Sequence, residues 1–392
     1  MKDISGFFKA VNLDFVVGDI DFHPRQVGSE IAVHRQGNFP ELDKVNIALI
    51  GVKEERRAKN NRGCSEGPDP VRKAFYRTFR DFGNARIADL GDIAAGHSLD
   101  DTYFALSESV AELVKGKIIP VIIGGSHDLA FAQYQAYEKL EQTINIVSID
   151  NTLDLGLSKD EELNATSYLG KIIMRKPNYL FNHCTLGYQS YLTDPEAVQL
   201  MASLHFDCQR LGAIQSSLIE TEPSIRNADM LSFDMSAIRS SDAPGHEQAV
   251  PNGLFGQEAC QLMRYAGLSE KISSLGLYEF NPLFDPRSQT AHLISQMIWY
   301  FVEGYSGRKH DFPFTDASQY IVYHVNISEH SQELVFYKSK KSDRWWMNVP
   351  FLSDAGSRYE RHHMVPCSYK DYELACQDDL PDRWWQAYQK LN

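Results

Sequence analysis

The feature that most constrains the fold is a series of short apolar runs separated by segments of helical periodicity. The runs are rich in β-branched residues and nearly continuous, which is typical of strands buried on both faces of a parallel sheet. They are Val45–Val52, Ile118–Ile123, Ile144–Ile149, Met230–Phe233 and Ile272–Tyr278. Helical spacing predicts helices over Tyr103–Val114 and Leu129–Leu140. The pattern predicts an α/β protein, a three-layer αβα sandwich with a mainly parallel sheet.

The pattern changes after Gly304, where the segment SGRKHDFPF has the composition of a linker. Alternating segments at Tyr320–Asn326 and Glu333–Tyr337 then predict a β-hairpin, and DDLPDRWWQAYQKLN predicts a short helix starting at Asp379 or Pro381. We therefore expect a main domain over residues 1–308 and a C-terminal extension over 309–392. Four of the five tryptophans lie in this extension. They indicate packing on the main domain, a subunit contact or the binding of a partner.

Bulk composition limits the functional classes. The net charge of −13 argues against nucleic acid, because phosphate binding needs a basic surface. The N-terminus does not have the apolar run of a secretory signal, and the most apolar stretch, around Ile118 to Gly125, is too short to cross a bilayer. The six cysteines are scattered without a CxxC pair, which indicates reduced thiols. We expect a cytoplasmic protein that binds small molecules and neither nucleic acid nor membrane.

Polar residues that can bind metal follow three of the predicted strands. They lie in the segments Gly124-Gly125-Ser126-His127-Asp128, Ser148-Ile149-Asp150-Asn151-Thr152-Leu153-Asp154 and Ser232-Phe233-Asp234-Met235-Ser236. Ligands of open α/β sheets bind at the carboxyl ends of the strands, where these segments fall. Each segment alone is a weak signal, because a histidine after a glycine pair is commonly structural and an aspartate at a strand end is commonly a helix cap. Their combination in this order is specific.

With these segments in this order, the chain resembles the ureohydrolases, the arginase–agmatinase–formimidoylglutamase family. That family carries GG-x-H, D-x-H-x-D and S-x-D-x-D segments that together hold two manganese ions. Further matching segments are Asn61-Arg62-Gly63 with Gly67-Pro68 and Arg72, Asp89-Leu90-Gly91-Asp92 (the family's DLGD turn), Pro244-Gly245 with Gly253-Leu254, and Glu279-Phe280-Asn281-Pro282 with Asp285 and Thr290. The resemblance covers about residues 45–305.

The resemblance implies one complete metal position and one degenerate position. The first takes one histidine and three aspartates, which correspond to His127, Asp150, Asp154 and Asp234. The second shares Asp150 and Asp234, but its own histidine and aspartate are replaced by Thr152 and Ser236. Neutral hydroxyls are weak ligands for a hard cation. We therefore expect one Mn(II) ion per chain at most, or none.

A metal-free cluster of three carboxylates would need protonation, water or a neighbouring cation. The sequence offers Arg239, His183 and His246 as candidates, although an ordinary surface or loop role is the commoner fate of such residues.

The resemblance also assigns Glu279 to the carboxylate that pairs with the amidinium group of the substrate, although a buried or capping glutamate is the alternative. The formimidoylglutamase branch is the nearest. An active protein would hydrolyse a non-peptide C–N bond in a small amidine or guanidine, whereas a pseudoenzyme would keep the fold as a binding or scaffold protein. Asn164-Ala165-Thr166-Ser167-Tyr168 matches the family's substrate-contacting segment only in part, so the substrate cannot be transferred. The family commonly forms homo-oligomers, which we also expect here.

Overall fold

The computed structural model describes residues 2–156, 161–312, 316–327, 332–351 and 360–391. The strands are β1 (Ala32–Val33), β2 (Ile47–Lys53), β3 (Ile87–Ala94), β4 (Ile119–Ile123), β5 (Ile144–Ile149), β6 (Leu180–Tyr188), β7 (Asp207–Arg210), β8 (Met230–Asp234), β9 (Ser274–Tyr278), β10 (Tyr320–Ile327), β11 (Gln332–Ser339), β12 (Trp345–Asn348) and β13 (Met364–Cys367). The helices are α1 (Leu13–Val16), α2 (Pro68–Phe75), α3 (Leu99–Lys115), α4 (Leu129–Lys139), α5 (Tyr168–Met174), α6 (Pro195–Ser203), α7 (Leu211–Ser216), α8 (Glu222–Arg226), α9 (Gly256–Leu268), α10 (Gln289–Ser306), α11 (Tyr369–Cys376) and α12 (Asp382–Leu391).

Nine strands form one large sheet in the order β1-β3-β2-β4-β9-β8-β5-β6-β7, and all of its pairs are parallel. Alternate residues of β2 face opposite sides: Ile47 and Leu49 pack with α2, α9 and α10, whereas Ala48 and Ile50 pack with α3 and α4. The sheet is therefore covered on both faces. This confirms the three-layer αβα sandwich.

The strand order places the polar segments side by side. Strands β4, β9, β8 and β5 are consecutive neighbours in the sheet. Asp234 is the last residue of β8, and the other three strands are followed closely by His127 (after β4), Glu279 (after β9) and Asp150 (after β5). Because the strands are parallel, these residues share the carboxyl edge of the sheet.

The segment Asp89–Asp92 differs from the expected turn, because it lies within β3. Gly91 has a φ of 85°, and the pairing of β3 with β2 shifts register between Leu49 and Gly51. This bulge lets a polar segment remain inside the sheet, where Arg72 binds Asp89 and Asp92.

The C-terminal residues form a second, antiparallel sheet in the order β10-β11-β12-β13. Its first two strands are the predicted hairpin, and α12 begins one residue after Pro381. Trp345 and Trp384 lie in the core that this sheet forms with α11 and α12. Trp346 instead packs on the guanidinium of Arg226 of the main domain, 4.4 Å from the ring centroid. The boundary near residue 308 falls after α10, and the division into two domains stays a prediction.

All six cysteines are free thiols. None of the helices in the described ranges is long and apolar enough to cross a membrane.

Candidate metal centre

Four buried side chains converge at the carboxyl edge of the large sheet. One ligand atom from each of His127, Asp150, Asp154 and Asp234 lies within 4.8 Å of the others. The Nδ1 atom of His127 is 3.4 Å from Oδ2 of Asp150, 3.2 Å from Oδ2 of Asp154 and 3.0 Å from Oδ2 of Asp234. The structure therefore brings together all four residues that the sequence predicts for the complete position.

The ring of His127 is held from several sides. Gly124 and Gly125 have φ angles of 91° and 75°, so the chain can turn sharply between β4 and α4. The Nε2 atom lies 2.5 Å from the hydroxyl of Ser232. The ring centroid lies 4.4 Å from that of Tyr168 and 5.3 Å from that of Tyr278. These contacts point Nδ1 at the carboxylates, although it makes no hydrogen bond of standard geometry there.

The electrostatics of the cluster favour a bound cation. Burial, together with the charges of Asp154 and Asp234, holds the pKa of Asp150 well above its usual range. Burial also acts to raise the pKa of Asp234, but the contact with His127 outweighs it and leaves that pKa lowered. Burial lowers the pKa of His127, whereas Tyr168 and the carboxylates raise it, and the net pKa is well above the usual value. Three buried carboxylates thus compete for one positive group, a donor set that a hard divalent cation fits.

The remaining carboxylate oxygens are engaged by donors at the degenerate position. Oδ1 of Asp150 accepts a hydrogen bond from the backbone N–H of Thr152 at 2.9 Å, and Oδ1 of Asp154 accepts one from the Thr152 hydroxyl at 2.9 Å. Oδ1 of Asp234 accepts one from the backbone N–H of Ser236 at 2.6 Å. Each carboxylate therefore presents Oδ2 to His127 and uses Oδ1 for these hydrogen bonds.

Glu279 lies beside the cluster, and each of its carboxyl oxygens accepts a hydrogen bond. Its Oε1 accepts a hydrogen bond from the backbone N–H of His127 at 2.8 Å, and its Oε2 accepts one from the side-chain amide of Asn61 at 2.7 Å. Oε2 is also 3.9 Å from Nε2 of His246. Burial and the charge of Asp234 raise the pKa of Glu279 to about 8. A cationic ligand near this carboxyl would offset that cost.

Two residues at the carboxyl edge of the sheet have unusual backbone φ angles. Asp154 and Glu279 have φ angles of 36° and 66°, in the region that non-glycine residues rarely occupy. Such conformations cost energy and are concentrated at functional sites.

Two of the proposed neutralising cations do not contact the carboxylates. Arg239 binds Asp242 through Nε at 2.9 Å and stacks on Phe255. His183 lies within β6 with Nε2 3.1 Å from the hydroxyl of Ser148. His246, the third candidate, comes near Glu279, and its own pKa is lowered by burial.

The sequence reasoning missed the residues that support the cluster. Tyr168 and Tyr278 flank the imidazole, and Asn61 donates to both the carboxyl and the backbone carbonyl of Glu279. Asn61 lies in the Asn-Arg-Gly segment, so its motif was visible but its partner was not. No local pattern distinguishes the two tyrosines from ordinary core residues.

Comparison with known proteins identifies the family of the chain. The model of the arginase family matches residues 45–303. The formimidoylglutamase of Staphylococcus aureus is 26% identical over 284 residues, which cover 68% of this chain and 90% of that protein.

Two solved structures share the fold. Formiminoglutamase from Trypanosoma cruzi, solved with Mn²⁺, aligns with a TM-score of 0.64 and 19% identity over 72% of this chain and 99% of its own. Formimidoylglutamase from Bacillus subtilis aligns with a TM-score of 0.67 and 17% identity over 75% of this chain and 96% of its own.

Proposed function

The chain belongs to the arginase family, and we propose that it is a formimidoylglutamase-like hydrolase that uses at most one manganese ion. The substrate class is a small linear amidine, and the bond that breaks is a non-peptide C–N bond. The similarity to formimidoylglutamases in sequence and to manganese-containing formiminoglutamase in fold supports this proposal.

One observation carries the single-ion part of the proposal. The Nδ1 atom of His127 lies 3.0 to 3.4 Å from one Oδ2 atom each of Asp150, Asp154 and Asp234, and all four ligand atoms lie within 4.8 Å of one another. These are nitrogen and oxygen donors of the kind that manganese accepts. At the second position only the shared carboxylates remain, because Thr152 and Ser236 provide hydroxyls.

The ion, when bound, supplies Lewis acidity and lowers the pKa of water. The residues of the chain provide the rest of the site. Glu279 is held by Asn61 and by the backbone of His127, so its carboxyl is fixed in position beside the cluster. An amidinium group is planar and cationic, and it donates N–H groups that a fixed carboxylate can accept. Glu279 thus orients the amidine carbon towards the cluster.

The proposed reaction is a hydrolysis that consumes one water. Oxygen adds to the amidine carbon, and the C–N bond to the larger amine fragment breaks. That nitrogen leaves as an amine after gaining a proton, and the carbon leaves as an amide, which is formamide for a formimino substrate. No oxidant or further co-reactant is required.

The replacements Thr152 and Ser236 also favour a second candidate, a pseudoenzyme that binds an amidine without turning it over. In that case Glu279 and the four-residue cluster would still recognise the ligand. The two candidates differ in turnover and share the same ligand class.

Metal analysis of the purified protein loaded with Mn²⁺, combined with ammonia, urea and formamide assays, tests the proposal. About one ion per chain with release of formamide from formiminoglutamate is expected. No ion, or one ion, without turnover on formiminoglutamate, agmatine, arginine and guanidinobutyrate would favour the pseudoenzyme. Two ions per chain would refute the proposal that Thr152 and Ser236 prevent an ion from binding at the second position.

The double variant Thr152→His with Ser236→Asp provides a sharper prediction. It restores the histidine and the carboxylate of the second position, so manganese per chain should rise towards two. The matched control is Thr166→His with Ser241→Asp, which adds the same groups at exposed positions outside the cluster. A folded double variant with no additional manganese would show that the geometry of the second position has diverged.

A further inference from the structure

Among the residues that the structure describes, the strand β10 forms a sheet edge without the usual protections. It is eight residues long and pairs with β11 without a register shift, from Tyr320 opposite Ser339 to Ile327 opposite Gln332. Its sequence, YIVYHVNI, contains no proline, glycine, lysine, arginine, aspartate or glutamate. Natural proteins protect such edges with charges, prolines, bulges or short strands, because an open edge pairs readily with another strand.

The other three edges of the two described sheets are protected. β1 has two residues, and β7 has four, including Asp207 and Arg210. β13 is buried, contains Pro366, and contacts α8 and α12. β10 is thus the exception among these edges.

The outer side of β10 has backbone groups with no hydrogen-bond partner among the described residues. In an antiparallel pair every second residue points its N–H and C=O away from the neighbouring strand. Within the described parts of the chain, no backbone hydrogen bond outside the pairing with β11 involves residues 321–327. Val322 and Ile321 are 43% and 42% exposed, so apolar surface accompanies these unpaired groups.

We propose that β10 pairs with β10 of a second copy of this chain around a two-fold axis at Tyr323, joining two four-stranded sheets into one of eight strands. In this antiparallel register Tyr323 faces its own copy, and Ile321 faces Val325 of the other chain. Residues directly opposite in an antiparallel pair share a face of the sheet. Val322 correspondingly faces His324 of the other chain.

This register is self-complementary. Tyr323 and Val325 pack against the core of the extension, where the Tyr323 ring lies 5.2 Å from that of Tyr372. The row of Ile321, Tyr323 and Val325 ends at the open edge, and a second copy continues it with the same three side chains. The strand has no lysine, arginine, aspartate or glutamate, and its one histidine, His324, faces Val322 of the other chain, so no like charges face each other across the axis.

The test measures the mass of the full-length protein by sedimentation or light scattering over a wide range of concentration. Val322→Lys places two lysines near the axis, and the exposed position lets the variant fold, so the mass should fall two-fold. The control Leu200→Lys changes an apolar residue that is 48% exposed on α6, and it should leave the mass unchanged. A protein that is monomeric throughout, or an assembly that Val322→Lys leaves intact, would overturn the proposal.

A disulfide test addresses the register. Cysteines at Ile321 and Val325 in the same chain lie four residues apart along a strand, too far to bond to each other. In a Cys376→Ser background, which removes the exposed native thiol, mild oxidation of the double variant should form a covalent dimer, whereas Ile321→Cys alone should not. Failure of the double variant to cross-link would contradict the axis at Tyr323.

Discussion

Replacing Ser232 with alanine isolates the contact that orients His127. The Ser232 hydroxyl lies 2.5 Å from Nε2, and both residues are fully buried. A metal ligand must present a lone pair at Nδ1, so Nε2 carries the proton and donates to Ser232. Without the hydroxyl, that N–H has no partner, and the ring is free to change tautomer and orientation.

The expected loss follows from the kind of contact removed. Partners that orient a metal-binding histidine contribute roughly 10- to 100-fold in metal affinity, which is about 1.4 to 2.7 kcal/mol. Leaving the buried N–H unsatisfied also costs about 1 to 3 kcal/mol of folding stability. We therefore expect the Kd for Mn²⁺ to rise 10- to 100-fold in Ser232→Ala, measured by calorimetry or by competition with a fluorescent chelator.

The control for this experiment is Ser109→Ala. The Ser109 hydroxyl is also buried, but it donates to the carbonyl of Ala105 within α3, away from the cluster. This variant should leave the manganese affinity unchanged, because it removes a buried hydroxyl without touching the cluster. If Ser232→Ala binds manganese within two-fold of the parent protein, the hydrogen bond does not orient the ligand and the reasoning fails.

Two further predictions concern the substrate carboxylate and the extension. Glu279→Gln should lower kcat/KM by roughly 10- to 100-fold, because a hydrogen bond to a charged group contributes about 1.5–3 kcal/mol. The manganese content should be unchanged. Loss of manganese in this variant would instead make Glu279 part of the metal site. Arg226→Met should lower the free energy of unfolding in urea by about 1–3 kcal/mol, because it leaves the carbonyls of Trp345 and Cys367 without their buried donor, whereas Glu222 keeps Arg344 at 3.5 Å. Arg175→Met, which breaks a more exposed pair with Glu138, should cost about 1 kcal/mol or less, and equal losses would contradict the importance of burial.

The central strands could be predicted because their signal is local. β4, β5, β8 and β9 are short apolar runs buried on both faces, and the polar residues that follow them mark the carboxyl edge. The order of the strands cannot be read from local sequence. However, strands that alternate with helices predict a parallel sheet, and in a parallel sheet the carboxyl ends of all strands lie at one edge.

Two of the strands that were missed, β3 and β6, contain polar residues whose partners are distant in sequence. β6 includes Asn182, whose side chain binds Lys390 of α12, and His183, which binds Ser148. β3 includes Asp89 and Asp92, which Arg72 neutralises. These contacts stabilise strands that contain buried polar residues. Such strands lack the apolar pattern by which strands are recognised in a sequence. The role of Tyr168 could not be predicted for the same reason, because it depends on packing against His127, which is distant in sequence.

The two shared carboxylates decide how the second metal position can be restored. The hydrogen bonds from Thr152 N–H and Ser236 N–H to Asp150 and Asp234 come from the backbone, so they persist whatever side chains occupy those positions. A carboxylate oxygen accepts more than one partner, so these bonds do not by themselves exclude an ion.

The side chains make the difference. The Thr152 hydroxyl occupies Oδ1 of Asp154 and adds no charge, and Ser236 does not provide the carboxylate that a second divalent ion needs. Thr152→His alone would give three ligands and no new charge, whereas Ser236→Asp alone would give three ligands and one new charge. Because charge dominates the binding of a hard cation at a buried site, Ser236→Asp should raise manganese content more than Thr152→His. The opposite order would mean that the imidazole, and not the carboxylate, limits the second position.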